Sequence, residues 1–193
     1  MPRVRKELLD AAARLSRWDR ALGKVIKSVG PPDIRRGRPR RSHFAELARA
    51  VCYQQLAGSA ARAIHGRFEE LFGGEPTPEA VLAAGPDRLR SVGLSGSKAR
   101  TISDLAAQVV SGEVELDRVA RLSDDEIVRE LTGVWGIGRW TAEMFLIFQL
   151  GRLDVWPVGD YGVRKGYATA HALADVPSEK ELEPLGDPYR PYR

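Results

Sequence analysis

The sequence Leu131-Thr-Gly-Val-Trp-Gly-Ile-Gly-Arg-Trp-Thr-Ala142 joins a glycine-rich turn to a long apolar segment, and an acid, Asp160, lies just beyond that segment. Glycines allow another molecule to come very close to the backbone because they lack a Cβ. A helix that begins directly after them presents unpaired N–H groups and the positive end of its dipole, which favours a phosphate. Trp140 lies in the same turn, where a flat base could stack on it. The combination predicts contact with nucleic acid, and the nearby acid predicts chemistry on it.

The composition limits the class of protein without identifying it. The 193 residues suffice for one sizeable core or for two small helical lobes. The net charge of +4 and the pI near 9.4 suit a DNA-binding enzyme but are shared by many other proteins. Cys52 is the only cysteine, which excludes a disulfide framework within one chain and a four-cysteine zinc or iron–sulfur site. We therefore predict a reducing, cytoplasmic location (nucleoid-associated in a prokaryote).

Almost the whole chain carries the apolar spacing of helices. A first helix is predicted from Leu8 to about Lys27, and Thr77-Pro78-Glu79 begins another with an N-cap and a proline in the first turn. Ser123-Asp-Asp-Glu126 is a capping-box pattern that opens a further helix. The segment from Trp140 to Leu150 is apolar on all sides, which predicts a buried central helix. It is about a third of the length of a membrane span, so no membrane association is predicted.

We predict an all-α fold of roughly ten short helices, because no run alternates with period two for more than a few residues. Residues 1–193 are expected to form one unit of two helical lobes with a cleft between them. Lobe one would comprise about 1–39 together with 152–193. Lobe two would comprise about 40–151, including the hairpin 133–139.

The glycine hairpin has other interpretations. Gly136-Ile-Gly138 resembles the start of a dinucleotide-binding fingerprint, but the third glycine is missing and the preceding segment is helical rather than a strand. No phosphate loop of the Walker type occurs in the sequence. A helix–turn–helix whose glycine turn is purely structural stays open at this point.

Five motifs together resemble one family, in the family's order. In chain order they are Tyr53-Gln-Gln-Leu-Ala57, Gly93-Leu-Ser-Gly-Ser-Lys-Ala99, Gly133-Val-Trp-Gly-Ile-Gly-Arg-Trp-Thr-Ala142, Asp154-Val-Trp-Pro-Val-Gly-Asp-Tyr-Gly-Val-Arg-Lys165 and Pro191-Tyr-Arg193. The pattern is similar to the helix-hairpin-helix (HhH-GPD) superfamily of DNA glycosylases, and most similar to its 3-methyladenine DNA glycosylase II branch. The resemblance covers roughly Arg40 to Arg193 and implies the two-lobed helical fold in its compact form, with no N-terminal β-domain. Similar proteins continue beyond the position of Arg193 through a further helix.

The resemblance also implies roles for individual residues. Asp160 falls on the family's catalytic acid, and Trp140 falls on the hairpin tryptophan that lies against the extruded base. Gln55 and Leu56 fall on the wedge that enters the space left by the flipped nucleotide. An alkali cation, Na⁺ or K⁺, would bridge the hairpin to a DNA phosphate through the backbone carbonyls of Thr132, Val134 and Ile137. No other cofactor is implied.

The chemistry of these residues agrees with those roles. An enzyme that acts on a base inside a duplex must first extrude the nucleotide. An indole then stacks on the base and attracts the positive charge of an alkylated purine. Because a cationic base leaves without a general acid, one carboxylate suffices to stabilise the oxocarbenium ion and to align water. Asp160 suits this role, and it is also expected to cap the helix that follows it.

The residue at position 140 bears on the type of reaction. In the glycosylase/lyase branch of the superfamily a lysine stands in this place and attacks the sugar through a Schiff base. Here the residue is Trp140, and its neighbour Arg139 cannot act as an amine nucleophile. We therefore predict a monofunctional enzyme of base excision repair that leaves an abasic site and does not cut the strand.

The predicted substrate is double-stranded DNA that contains alkylated bases, chiefly 3-methyladenine and also 7-methylguanine, and the enzyme is expected to act as a monomer. One alternative is a non-catalytic helix-hairpin-helix module that binds DNA. The other is a glycosylase for deaminated or oxidised bases, because the walls of the base pocket cannot be read from the sequence.

Further residues are predicted by position to contact the base or the DNA backbone. The base-pocket candidates, each equally compatible with ordinary core packing, are Tyr53, Trp156 and Tyr161. The backbone-binding candidates are Gly133, Gly136, Gly138, Arg139, Thr141, Arg164 and Lys165. The basic loop Arg35–Arg41 either touches the backbone or is only solvated. Surface or capping roles, rather than metal binding, are predicted for His43, His65 and His171.

Overall fold

The computed structural model describes residues 2–32 and 41–193 of the chain. These ranges form ten α-helices and two short 3-10 helices and contain no strand, so the prediction of an all-α fold is confirmed. The α-helices are α1 (Pro2–Trp18), α2 (Arg20–Val29), α3 (His43–Tyr53), α4 (Gly58–Leu71), α5 (Pro78–Ser91), α6 (Gly96–Ser111), α7 (Asp124–Gly133), α8 (Arg139–Phe148), α9 (Tyr161–Ala170) and α10 (Glu179–Leu182). The 3-10 helices are Val119–Arg121 and Glu183–Tyr189. Within the described ranges, no helix has both the length and the apolar character needed to cross a bilayer.

The chain divides into two compact units. The first unit comprises residues 1–38 and 146–193, and the second comprises residues 39–145. The second boundary lies inside α8, between Phe145 and Leu146, whereas the sequence suggested 151/152. The helical pattern in the sequence stops at Gly151, but the residues from Leu146 onward already belong to the first unit. No sequence signal marks this earlier boundary.

The second unit is built around α6, against which α3 and α5 both pack. Leu47 and Val51 of α3 are fully buried, as are Ile102 and Leu105 of α6. Each pair is spaced by three or four residues, which puts both members on one face of their helix. This packing fixes α6 as the central element of the unit.

Two helix starts in the second unit follow their sequence signals. The Thr77 hydroxyl accepts the backbone N–H of Ala80, and Pro78 occupies the first turn of α5. Ser123 and Glu126 form the complete capping box at the start of α7. Both predictions from the capping patterns are confirmed.

The first unit begins with two helices where the sequence suggested one. Asp19 interrupts the segment between α1 and α2, and its Oδ1 accepts the N–H groups of Ala21 and Leu22 at 2.7 and 3.1 Å. The prediction of a continuous first helix from Leu8 to Lys27 is therefore wrong. The apolar spacing continues across the break, but the local cap by an aspartate side chain favours a new helix start.

The core of the first unit contains a cluster of aromatic residues. Tyr189 donates its hydroxyl to Oδ2 of Asp19, and burial raises the pKa of this tyrosine. Trp156 packs against the rings of Tyr167 and Tyr189 and donates its indole N–H to the carbonyl of Leu182 at 2.9 Å. These rings form one wall of an apolar cavity of about 340 Å³ inside the unit.

Helix α8 is less completely buried than its sequence suggested. It spans Arg139–Phe148, and its interior residues Ala142 and Leu146 are buried. Near its two ends, however, Trp140 is 43% exposed and Phe148 is 63% exposed. The expectation of a helix buried on all sides is wrong at these ends, because apolar composition does not show which side chains a partner covers.

Candidate functional site

The hairpin joins α7 to α8 through residues 134–138. Val134 and Ile137 are buried, and the Ile137 N–H donates to the Val134 carbonyl at 3.1 Å. The Gly138 carbonyl accepts the N–H of Ala142, which opens α8. Two apolar anchors therefore hold a tight turn from inside, and the glycines between and after them stay at the surface.

Gly136 is the residue that the hairpin geometry requires. Its φ is +82°, in the left-handed region that favours glycine. A Cβ at this position would overlap Oγ1 of Thr101, which is buried on α6. In contrast, a Cβ on Gly133 or Gly138 would meet nothing within 4 Å. Gly136 is therefore needed for the fold of the turn, whereas Gly133 and Gly138 leave space around the backbone.

Helix α6 also holds the hairpin by polar contacts. Oδ2 of Asp104 accepts the backbone N–H of Trp135 at 2.7 Å and the Gln108 side-chain amide at 3.0 Å. The guanidinium of Arg100 lies 4.2 Å from the centre of the Trp135 ring. No role was predicted for Asp104 or Arg100, because no local sequence pattern connects α6 with a hairpin that follows α7.

The start of α8 presents Arg139 and Trp140. Arg139 is exposed and donates its Nε to Oε1 of Glu143 at 2.8 Å, and the Glu143 side chain is only 4% exposed. The buried carboxylate thus orients the arginine from below. Thr141 was predicted to contact the DNA backbone, but it is 3% exposed and its hydroxyl faces the side chain of Gln54. The structure places Thr141 inside the unit, since the third residue of the helix points inward.

The turn that follows α3 carries the predicted wedge. Gln55 is exposed with a φ of +53°, and Leu56 is 40% exposed. Gln54, one residue earlier, points the other way and reaches the carbonyl of Gly136 at 3.4 Å. The structure therefore brings the wedge residues and the hairpin together within the second unit.

Asp160 lies at the start of α9 in the first unit. Its Oδ1 accepts the backbone N–H of Val163 at 2.8 Å, so it is the N-cap that the sequence suggested. Its own N–H donates to the Pro157 carbonyl at 2.9 Å, which fixes the preceding turn. A Cβ on Gly162 would lie 2.9 Å from Oδ1, so glycine there leaves room for the carboxylate. The half-buried carboxylate is thus held in one orientation by the backbone around it.

The neighbours of Asp160 differ in their surroundings. Tyr161 is 59% exposed, and Lys165 is exposed one turn further along α9. Arg164 instead donates to the carbonyl of Pro177 at 3.2 Å, and its guanidinium lies 5.6 Å from the Tyr161 ring. Of the two basic residues of α9 that were predicted to contact the DNA backbone, Lys165 is the more accessible.

The other base-pocket candidates already have protein partners. The guanidinium of Arg49 lies 4.7 Å from the Tyr53 ring, and the Trp156 ring is packed in the core of the first unit. Cys52 is also buried, and burial raises its pKa to about 12, so its thiol is not a nucleophile at neutral pH.

The basic loop and the histidines complete the set of predicted residues. Within Arg35–Arg41, residues 35–40 lie outside the described ranges, and Arg41 forms an ion pair with Glu69. The histidines have three different environments: His65 is buried, His43 packs edge-on against Phe145, and His171 caps α9 at its C-terminus. The surface role suggested for His65 is wrong, because its ring fills the space beside Phe68.

The chain matches known proteins over most of its length. Residues 48–191 match the family described as the HhH-GPD superfamily of base excision DNA repair proteins. The chain is 35% identical over 189 residues to DNA-3-methyladenine glycosylase 1 of Schizosaccharomyces pombe, covering 96% of this chain and 83% of the relative.

Two solved structures share its fold. A 3-methyladenine DNA glycosylase of S. pombe in complex with abasic DNA superposes with a TM-score of 0.83 at 34% identity, covering 95% of this chain and 91% of the other. A DNA-3-methyladenine glycosidase from Bacillus halodurans gives a TM-score of 0.81 at 32% identity, covering 92% and 81%.

Proposed function

The chain belongs to the HhH-GPD superfamily of base excision DNA repair proteins, as its motifs suggested, and we propose that it is a monofunctional DNA glycosylase for alkylated bases. The substrates would be 3-methyladenine and 7-methylguanine in double-stranded DNA, and the enzyme would act as a monomer. The proposal depends mainly on the carboxylate of Asp160, which the Val163 N–H holds at the start of α9. The hairpin of the same chain exposes Trp140.

The carboxylate of Asp160 acts on the sugar of the flipped nucleotide. As the C1′–N bond breaks, its electron pair goes to the cationic base, which leaves neutral without a general acid. The carboxylate stabilises the oxocarbenium ion that develops at C1′ and orients a water molecule. The water forms the new C1′–O bond and loses a proton through Asp160 to solvent. The products are a free base and an abasic site.

The hairpin binds the phosphate backbone of the DNA. The N-terminus of α8 offers backbone N–H groups and a positive dipole end to a phosphate, and Gly138 leaves the approach open. Arg139 is an exposed cation beside this helix start and adds charge to the contact. Lys165 is exposed on α9 of the first unit and would make its own contact with the DNA backbone. Thr132 lies in the last turn of α7, and Val134 is its C-cap, whose carbonyl accepts the Ile137 N–H and keeps a second lone pair. Such oxygens suit an alkali cation, which we include in the proposal with Ile137 as the third carbonyl.

Replacing Trp140 with alanine is expected to lower the rate of 3-methyladenine release by about 10-fold to 100-fold, because base–aromatic stacking contributes on the order of 1–3 kcal/mol. The loss should be smaller for a neutral base such as hypoxanthine, since the cation–π attraction is absent there. Trp18→Ala is the matched control, because Trp18 is exposed to a similar degree, 47%, on α1. Equal losses for Trp140→Ala and Trp18→Ala would contradict the stacking role.

Borohydride treatment during the reaction is expected to trap no covalent protein–DNA adduct, and the strand should stay intact at the abasic site. The reason is that no lysine stands in the hairpin to form a Schiff base with the sugar. The measurement is denaturing electrophoresis of the protein and of the labelled strand, with a known glycosylase/lyase as the positive control. A trapped adduct that contains this chain would contradict the monofunctional reaction.

A further inference from the structure

The wedge turn, residues 54–57, has a backbone that needs external support. Gln55 adopts a φ of +53°, a conformation that non-glycine residues rarely take. Gln55 is exposed, so its outer side faces solvent. The turn must therefore be held from the inside if Leu56 is to meet the duplex at a fixed height.

Lys98 of α6 holds the turn at its base. Its ammonium donates to the carbonyl of Cys52 at 2.8 Å and to the carbonyl of Gln54 at 2.7 Å. Both carbonyls lie at the C-terminal end of α3, where they have no further helical partner and where the helix dipole favours a cation. One side chain from α6 thus fixes the last turn of α3 and the first residue of the wedge turn.

Gln54 ties the same turn to the hairpin. Its side-chain amide lies 3.4 Å from the carbonyl of Gly136 and 3.3 Å from the hydroxyl of Thr141. The backbone of Gln54 is held by Lys98, while its side chain reaches both the hairpin and the first turn of α8.

Helix α6 holds the hairpin from the other side. Thr101 packs against Gly136, and Asp104 accepts the N–H of Trp135. Lys98, Thr101 and Asp104 are spaced by three residues, so they follow one another along one side of α6. The wedge turn and the hairpin are therefore attached to the same helix and to each other.

We propose that Gln54 and Lys98 are positioning residues that lock the wedge turn to the hairpin, so that anchoring of a phosphate and insertion of Leu56 occur as one movement. The inference rests on the proposed function, because it needs Leu56 to enter the duplex. Gln54 and Lys98 would contact neither the base nor the sugar. Their effect is to fix the height and angle of the wedge relative to the anchored strand.

The test compares anchoring, insertion and catalysis in the same variants. Gln54→Met keeps the length of the side chain and removes the amide, and Lys98→Met removes the ammonium. A duplex with 2-aminopurine beside a 7-methylguanine reports insertion through its fluorescence, and single-turnover base release reports catalysis. Both variants are expected to lose about 10-fold in release rate, because a misplacement of about 1 Å can cost up to about 100-fold in rate. Lys98→Arg, which keeps donors toward the carbonyls, should recover most of the rate.

The control measurements separate positioning from general packing. The affinity for undamaged duplex should stay within about twofold of the parent, since the hairpin itself is unchanged. The inference would be overturned if Gln54→Met and Lys98→Met lost duplex affinity and release rate to the same extent. It would also be overturned if their 2-aminopurine fluorescence change were as large as that of the parent. Leu56→Ala tests the wedge separately: full insertion by this variant would refute the wedge role that the family resemblance implies for Leu56. Loss of insertion in Leu56→Ala with parental behaviour of Gln54→Met and Lys98→Met would refute only the positioning role.

Discussion

Replacing Asp160 with asparagine is expected to lower the single-turnover rate of alkylated-base release by about 10³-fold, the size of effect that loss of one preorganised electrostatic group produces. Asparagine keeps the shape of the side chain and caps a helix as well as aspartate does, so α9 should start at the same residue. Only the negative charge that faces the oxocarbenium ion is lost. The measurement is release of free base from a duplex with a single 7-methylguanine, with the affinity for the same duplex measured in parallel.

A second substitution separates the charge from the helix cap. Asp160→Ala removes both, and loss of the cap should cost about 1 kcal/mol of folding stability. Asp160→Asn should therefore match the parent in thermal stability, while Asp160→Ala melts at a lower temperature. Both should be equally inactive. If Asp160→Asn releases base as fast as the parent, another group carries the chemistry and the assignment is wrong.

Replacing Gly136 with alanine is expected to destabilise the second unit by more than about 2 kcal/mol, since the left-handed conformation alone costs an alanine about 1–2 kcal/mol. The added Cβ would also overlap the hydroxyl of Thr101, which is buried and donates to the Ser97 carbonyl at 3.1 Å. The hairpin must then shift, and the phosphate anchor shifts with it. We expect a lower midpoint in urea unfolding and a loss of duplex affinity.

Gly138→Ala is the matched control for stability. This glycine lies two residues further along the same hairpin, its φ is not positive, and a Cβ there meets nothing within 4 Å. Its unfolding midpoint should stay close to that of the parent. Equal midpoints for Gly136→Ala and Gly138→Ala would show that the turn does not depend on the contact with α6.

The helices with local signals were predictable from the sequence. The capping box of Ser123 and Glu126 and the proline after Thr77 act within one turn, so their effect can be read without the rest of the fold. The break at Asp19 was missed because an aspartate inside a continuous apolar pattern is not distinctive. Its cap is local, but the Tyr189 hydroxyl that also binds it comes from the other end of the chain.

In the candidate site too, residues with a local sequence pattern were predictable, and residues that depend on distant contacts were not. The glycines, Trp140 and Asp160 were found because each has a short sequence pattern around it. Lys98 was part of a recognised motif, but its contact with the end of α3 depends on how α3 packs against α6. The burial of Thr141 follows from the same packing. Residues that position others were therefore missed, since their partners lie far away in the sequence.

The most direct measurement is the release of free base from methylated duplex DNA by the parent chain, followed by chromatography of the bases and electrophoresis of the strand. The proposed function predicts free 3-methyladenine and 7-methylguanine in solution, and an unbroken strand with abasic sites. Binding of the duplex without release of any free base would contradict it and would indicate a non-catalytic helix-hairpin-helix module instead.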